Sequence, residues 1–287
     1  MEAVTSKRVS GKKKLQQWIE FLKTLARFDE QVDARLKQIK SRVHTFGTAT
    51  FVALCVTIFL TFATEGNRTV LWIGGTLLVI FFGIFITFWN KSNSLQEINL
   101  DNSIRETLLP LLEILSEDIP PKGKISLVLN MGDPAAEENR ISEKELPPGS
   151  NRCLIERIYR VQTIHAAIPL TNGSQLILDL VKQPASYDRY YSNRRGKSKH
   201  KQKWKMLTLV TAGLAPNADD FAVDAAEVDR LSESEKVKLK QICGGQLCCL
   251  TRKFKSKSAV GVPEETLSPD LVLDMCMKLC AMLNPAG

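Results

Sequence analysis

The sequence predicts an α+β membrane protein: a two-helix transmembrane hairpin followed by a cytoplasmic domain with an antiparallel sheet and flanking helices. Three observations carry this. Phe46 to Thr64 and Val70 to Trp89 contain no charged side chain, and at ~1.5 Å rise per residue each is about as long as a bilayer's hydrocarbon core is thick. Beyond residue 120 apolar residues alternate at period two, and Asn172-Gly173, the pair that best accepts positive φ angles, sits between two such runs. Near the C-terminus helical spacing returns behind Ser268-Pro269, a cap followed by a first-turn proline.

Residues 1–14 carry Lys7, Arg8, Lys12, Lys13 and Lys14 with almost nothing to bury, so a disordered basic tail is expected. Over 15–44 the residues Leu15, Trp18, Leu22, Leu25, Val32, Leu36, Ile39 and Val43 recur at steps of three and four, with Asp29 the one polar interruption. Such a stripe marks an amphipathic or coiled-coil helix. Self-association through residues 15–43, a position in the headgroup region, and packing on the protein's own domain all fit it. Glu65 to Thr69 is too short a loop for anything but an antiparallel return of the second helix. Both long flanks then lie on one side. The 45 residues before the hairpin hold 11 Lys and Arg, and cations resist translocation, so both termini are expected in the cytoplasm, with the hairpin in a plasma or inner membrane. A signal peptide does not fit, since the polar preamble is too long and no cleavage pattern follows.

Residues 90–120 read as a helical connector. Asn90 to Asn99 is polar; Ile104, Leu108, Leu111, Leu112 and Leu115 make one apolar face, Pro110 divides it, and Pro120-Pro121 ends it. The cytoplasmic α+β domain is assigned to 121–287. Ile125, Leu127, Leu129 and Met131 form a first strand, and the acidic Gly132 to Ser150 a surface loop. Leu154 to Leu170 and Gln175 to Gln183 flank the Asn-Gly turn. A two-residue loop there would set Ile168 opposite Ile177 and Ile164 opposite Val181, with Ala167, Leu178 and Leu180 on the other face. Trp204 to Leu214 supplies another strand. An acidic stretch, Asn217 to Glu235, leads to two helices, Ser232 to Cys243 and Pro269 to Leu283.

A net charge of +8 and a pI near 9.1 favour anionic partners. The excess is concentrated: Tyr187 to Lys205 holds eight cations against Asp188. Arg195, Lys197, Lys199, Lys201, Lys203 and Lys205 fall at every second position, and an extended chain points alternate side chains the same way. The expected object is a basic β-ribbon spanning 187–205, with Tyr187, Arg189 and Tyr191 on the opposing arm and Arg194 and Arg195 near its tip. Anionic lipid headgroups are the expected ligand, at about 1 kcal/mol per cation near the surface. Nucleic acid is the alternative, because lysines neutralise phosphates and aromatics stack on bases. A solvated charge run, or a ribbon neutralised by the acidic Asn217 to Glu235 stretch of the same chain, is the plainest account.

Cys243, Cys248, Cys249, Cys276 and Cys280 are candidate metal or redox thiols, although they lack the repeated C-x-x-C pair of a zinc site. No cofactor is expected. His44, His165 and His200 have no nucleophile or carboxylate at a relay spacing, phosphate-binding glycine patterns are absent, and no catalytic residue or small-molecule substrate is assigned. The hairpin is too generic to carry a resemblance to a characterised family. The sequence therefore points to a membrane-anchored, non-enzymatic scaffold or interaction protein, with a tethered nucleic-acid binder and a thiol- or metal-dependent protein as alternatives.

Overall fold

The computed structural model describes residues 7–63, 68–98, 100–146, 152–192, 197–217, 219–234, 236–242, 245–259, 261–263 and 267–285. It divides into two compact units. One combines the N-terminal residues through Lys23 with Asp101–Gly287; the other is Thr24–Leu100.

The second unit is a pair of antiparallel helices. Helix α1 runs unbroken over Leu15–Ala63, its first residues belonging to the other unit, and α2 covers Arg68–Ile98. The polar connector expected at 90–99 is therefore helical as far as Ile98, because nothing in Lys91-Ser92-Asn93-Ser94 breaks a helix. Close approach is permitted at Gly74, where a Cβ would lie 2.5 Å from Thr57, the small-residue packing of helices in apolar surroundings. Phe46 stacks on Phe88 at 5.5 Å, and the Arg42 guanidinium lies 5.7 Å from the Phe88 ring. Phe51, Phe59, Phe62, Trp72 and Val79 point outward and are largely exposed. Both helices are long and apolar enough to cross a membrane. Threonines along them donate to the carbonyl four residues earlier, as Thr50 does to Phe46 and Thr61 to Thr57, which satisfies each hydroxyl without water. Leu25, Val32, Leu36 and Ile39 are already buried within the single chain. Asp29, 2 % exposed, accepts a hydrogen bond from the Leu100 backbone N–H.

The first unit is built on a nine-stranded, curled, all-antiparallel sheet. Its strands are β1 (Arg8–Lys14), β2 (Lys124–Asn130), β3 (Arg140–Leu146), β4 (Arg152–Tyr159), β5 (Val161–Pro169), β6 (Gln175–Ser192), β7 (Ser198–Ala215), β9 (Lys236–Ile242) and β10 (Gly245–Ser258). The main order is β1-β2-β5-β6-β7-β10-β9, with β4 also pairing β6 and β3 pairing β4. A small separate pair joins β8 (Phe221–Val223) to β11 (Leu283–Pro285). The 18-residue β6 pairs β5 along its first half and β4 along its second. Pro184, which has no N–H to donate, sits where that edge changes partner, between Lys182 and Ala185. Bulges at Gln162/Ile164 and Arg140/Ser142 add local twist.

One face of the sheet is the core. Leu127, Ile164, Ile168, Leu178, Leu180, Val210, Leu214 and Leu250 are at most 3 % exposed. The helical pieces beside them are a π-helical turn (Ile104–Leu108) running into α3 (Leu109–Ile114), then α4 (Ala225–Ser234) and α5 (Pro269–Ala281). Pro110 stands in the first turn of α3, where its missing N–H costs nothing, and so marks the division expected there. Ser268 caps α5 by accepting from the Asp270 N–H at 3.2 Å, as the sequence indicates.

Several expectations are corrected. Arg8–Lys14 is not a disordered tail but an edge strand on β2; its lysines are tolerated because they point to solvent and blunt the open edge. Residues 1–6 lie outside the described residues. Trp18 and Leu22, fully buried at the start of α1, belong to this unit's core, and the Trp18 indole donates to the Ile125 carbonyl at 3.0 Å. The domain is therefore discontinuous and is not 121–287 alone. Part of the 132–150 loop is β3. The helix expected over 232–243 is the end of α4 followed by β9, because Lys236-Val237-Lys238-Leu239-Lys240 alternates at period two. The Asn-Gly hairpin closes with three residues, Leu170 N–H bonding to Ser174 O and Gly173 at φ +78°. Ile168 consequently faces Leu176 and Ile164 faces Leu180. The extra loop residue gathers Leu176, Leu178 and Leu180 onto the buried face, whereas the expected register would have put half-exposed Ile177 and Val181 there.

Candidate anion-binding site

The outer face of the sheet carries the lysines. On β6 and β7 the register pairs Tyr187 with Lys203, Arg189 with Lys201 and Tyr191 with Lys199, so the expected arms are in place. Arg194 and Arg195 lie outside the described residues. The expectation of a two-stranded projection is corrected, since β4 lies along the far edge of β6 and β3 along β4. Lys197, Lys199, Lys201, Lys203 and Lys205 are all exposed.

A second row was missed in the sequence. Lys253, Lys255 and Lys257 of β10 alternate in the same way and are exposed. The β7–β10 register sets Lys257 directly opposite Lys205, Lys255 opposite Leu207 and Lys253 opposite Leu209. Directly opposed residues share a face, so the two rows form one basic field across two strands. Lys253-Phe254-Lys255-Ser256-Lys257 shows the alternation plainly, but nothing local announces that it lies beside Lys205.

Among the described residues the nearby carboxylates are engaged elsewhere. Asp188 projects from the opposite face of β6, is 3 % exposed, and is held by Arg157 Nη1 at 2.6 Å and His200 Nε2 at 3.1 Å, with Tyr190 stacked on that imidazole. Glu156 shares the lysine face but is engaged by the Tyr187 hydroxyl; burial, then that hydrogen bond, push the phenol up to about 12. Lys205 rests its ammonium 4.3 Å from the Tyr187 ring. In the 217–234 stretch Asp220 accepts from Asn217 Nδ2, Asp224 accepts from Ala226 N–H, Glu227 N–H and Asn284 Nδ2, and Glu227 pairs with Arg230. Among the described residues no carboxylate pairs with Lys199, Lys201, Lys203, Lys253, Lys255 or Lys257.

Among the described residues the thiols do not gather into a metal site. Cys243 lies outside the described residues, Cys248 and Cys249 are successive on β10 and so point to opposite faces, and Cys276 and Cys280 are on α5. Among the described residues no three or more His, Cys, Asp or Glu side chains could hold a metal ion together. Burial, then the neighbouring Cys280, pushes the Cys276 thiol up to about 12, and burial first of all raises Cys248 and Cys280. Burial thus favours the thiol form, the weaker nucleophile.

Two histidine–carboxylate pairs escaped the sequence. Antiparallel pairing sets His165 opposite Asp179, with Nδ1 2.7 Å from Oδ1, and brings His200 to Asp188. Among the described residues no hydroxyl or thiol bonds either ring, so neither pair is extended to a nucleophile.

The fold is thus of mixed α+β class, a curled antiparallel sheet with five α-helices among the described residues, two of them long and apolar. No protein-family model, curated protein or solved structure matches the chain.

Proposed function

We propose that this protein is a membrane-anchored, non-enzymatic scaffold or interaction protein. In this reading α1 and α2 span the bilayer as a hairpin with both termini in the cytoplasm, and the lysine field engages anionic lipid headgroups. The observation that carries it is the joining of two alternating lysine rows on one exposed sheet face, with no described carboxylate set against six of their members. Lipid ranks above nucleic acid because of the tether: only residues 90–100 separate the apolar run that ends at Trp89 from the unit that resumes at Asp101, and a short link gives bilayer headgroups a high effective concentration. At about 1 kcal/mol per cation near an anionic surface, a few simultaneous contacts suffice, and salt weakens them as the Debye length contracts.

The test is amine-reactive footprinting of the full-length protein in nanodiscs, with peptide mass spectrometry. Lys199 to Lys205 and Lys253 to Lys257 should label more slowly in anionic than in neutral bilayers, and high salt should erase the difference. Equal labelling in both bilayers overturns the headgroup reading. A salt-sensitive gel shift of an oligonucleotide by the neutral-nanodisc protein, without lipid-dependent protection, would instead assign the field to nucleic acid.

A further inference from the structure

Edge protection accounts for most of these lysines but not for Lys205. Strand β9 covers β10 only as far as Thr251, and β10 covers β7 only from Trp204 onward. Lys253, Lys255 and Lys257 on one strand, and Lys199, Lys201 and Lys203 on the other, therefore lie along stepped open edges, where charge discourages pairing with another chain. Lys205 does not. It is flanked on both sides, by Ala185 on β6 and by Lys257 on β10, and a directly opposed like-charge pair destabilises a sheet. Its ammonium leans onto Tyr187, on the side away from Lys257.

Resting on the headgroup reading above, we infer that Lys205 and Lys257, with Lys203 and Lys255 next along their strands, form a site for a lipid headgroup that carries two phosphates. Cross-strand partners have Cα atoms ~4.5–5.5 Å apart, and alternate residues along a strand are ~6.6–6.8 Å apart. Lys203 and Lys255 lie on opposite sides of the Lys205–Lys257 pair, so the four side chains form a diagonal row in which one compact dianion can meet the central pair and a neighbour at once. A monophosphate headgroup can bridge the opposed pair but brings one negative charge to two ammonium groups, so full neutralisation takes a second lipid. The phosphates neutralise the Lys205–Lys257 repulsion, and all four lysines are exposed, which leaves the approach open.

The experiment compares full-length protein in neutral nanodiscs binding to added vesicles of a bisphosphate lipid, cardiolipin, and of a monophosphate lipid, phosphatidylglycerol, at equal surface charge. Binding to the bisphosphate vesicles should be about tenfold tighter, which corresponds to ~1.4 kcal/mol. Lys257→Gln should abolish that preference, Lys257→Arg should keep it, and Lys199→Gln, which removes the same charge at the far end of the row, should keep it too. Equal binding to both vesicles, or equal loss of preference in Lys199→Gln and Lys257→Gln, overturns the site while leaving the headgroup reading standing. Binding to neither overturns that reading as well. A soluble inositol bisphosphate that binds as tightly without a bilayer would reassign the site to a free solute and overturn the lipid source.

Discussion

Lys182→Met should destabilise the sheet unit severely. Lys182 Nζ donates to Asp101 Oδ1 at 2.8 Å and lies 2.7 Å from Oδ2, and the two side chains are 7 % and 8 % exposed. Asp101 also accepts from the Ser103 N–H at 2.9 Å, so the carboxylate fastens the start of the helical segment to the middle of β6. Removing the lysine leaves a buried carboxylate whose charge no cation offsets, a loss of about 3–5 kcal/mol. For a unit of this size 1 kcal/mol moves the melting temperature by ~2–4 °C, so a fall of roughly 6–20 °C follows. Thermal unfolding of the full-length protein in neutral nanodiscs, read by circular dichroism in the strand region, measures it. Lys182→Met/Asp101→Asn should recover much of the loss, because the amide retains an acceptor for Ser103 N–H and removes the stranded charge. A shift for Lys182→Met no larger than that of exposed Lys201→Met would refute the reasoning.

Other outcomes follow from the same structure. Trp18→Ala empties a fully buried site and removes the donor to Ile125 O; a loss of about 3–5 kcal/mol is expected, seen as earlier proteolysis of the 101–287 region. Asp274 is held below the ordinary 3.8 by the Arg252 hydrogen bond first, and Asp224 by Asn284 first and then by the Glu227 and Ala226 N–H groups. Depressed folded-state values mean that the stabilisation is present above ~pH 4 and is lost as pH falls through them, so Asp274→Asn should flatten the acid limb of the melting-temperature profile. Native labelling at pH 7 should leave Cys248 and Cys276 unmodified, since both are buried and burial favours the thiol form; rapid modification without unfolding would contradict this. Alkaline carbonate should leave the chain in the membrane pellet, and its release would remove the hairpin from the proposed function.

The sequence by itself determined whatever depends on composition and local repeat. Two uncharged runs specify long apolar helices, Ser268-Pro269 specifies the start of α5, and alternation at period two specifies that Lys197 to Lys205 form a row, because backbone geometry sets side-chain direction without reference to any partner. The same rule shows Lys253 to Lys257 as a row. What lies opposite each row is not a local property. One extra residue in the Thr171–Gly173 loop decided which face of β6 is buried and set His165 against Asp179, and pairing between segments some fifty residues apart set Lys257 against Lys205. Parity placed Asp188 behind the lysine field rather than within it. Arg8–Lys14 became a strand only because β2 offered an open edge to its backbone. Register and edge pairing are chosen by burial and loop geometry across the whole sheet, so the site's charge balance belongs to the tertiary structure.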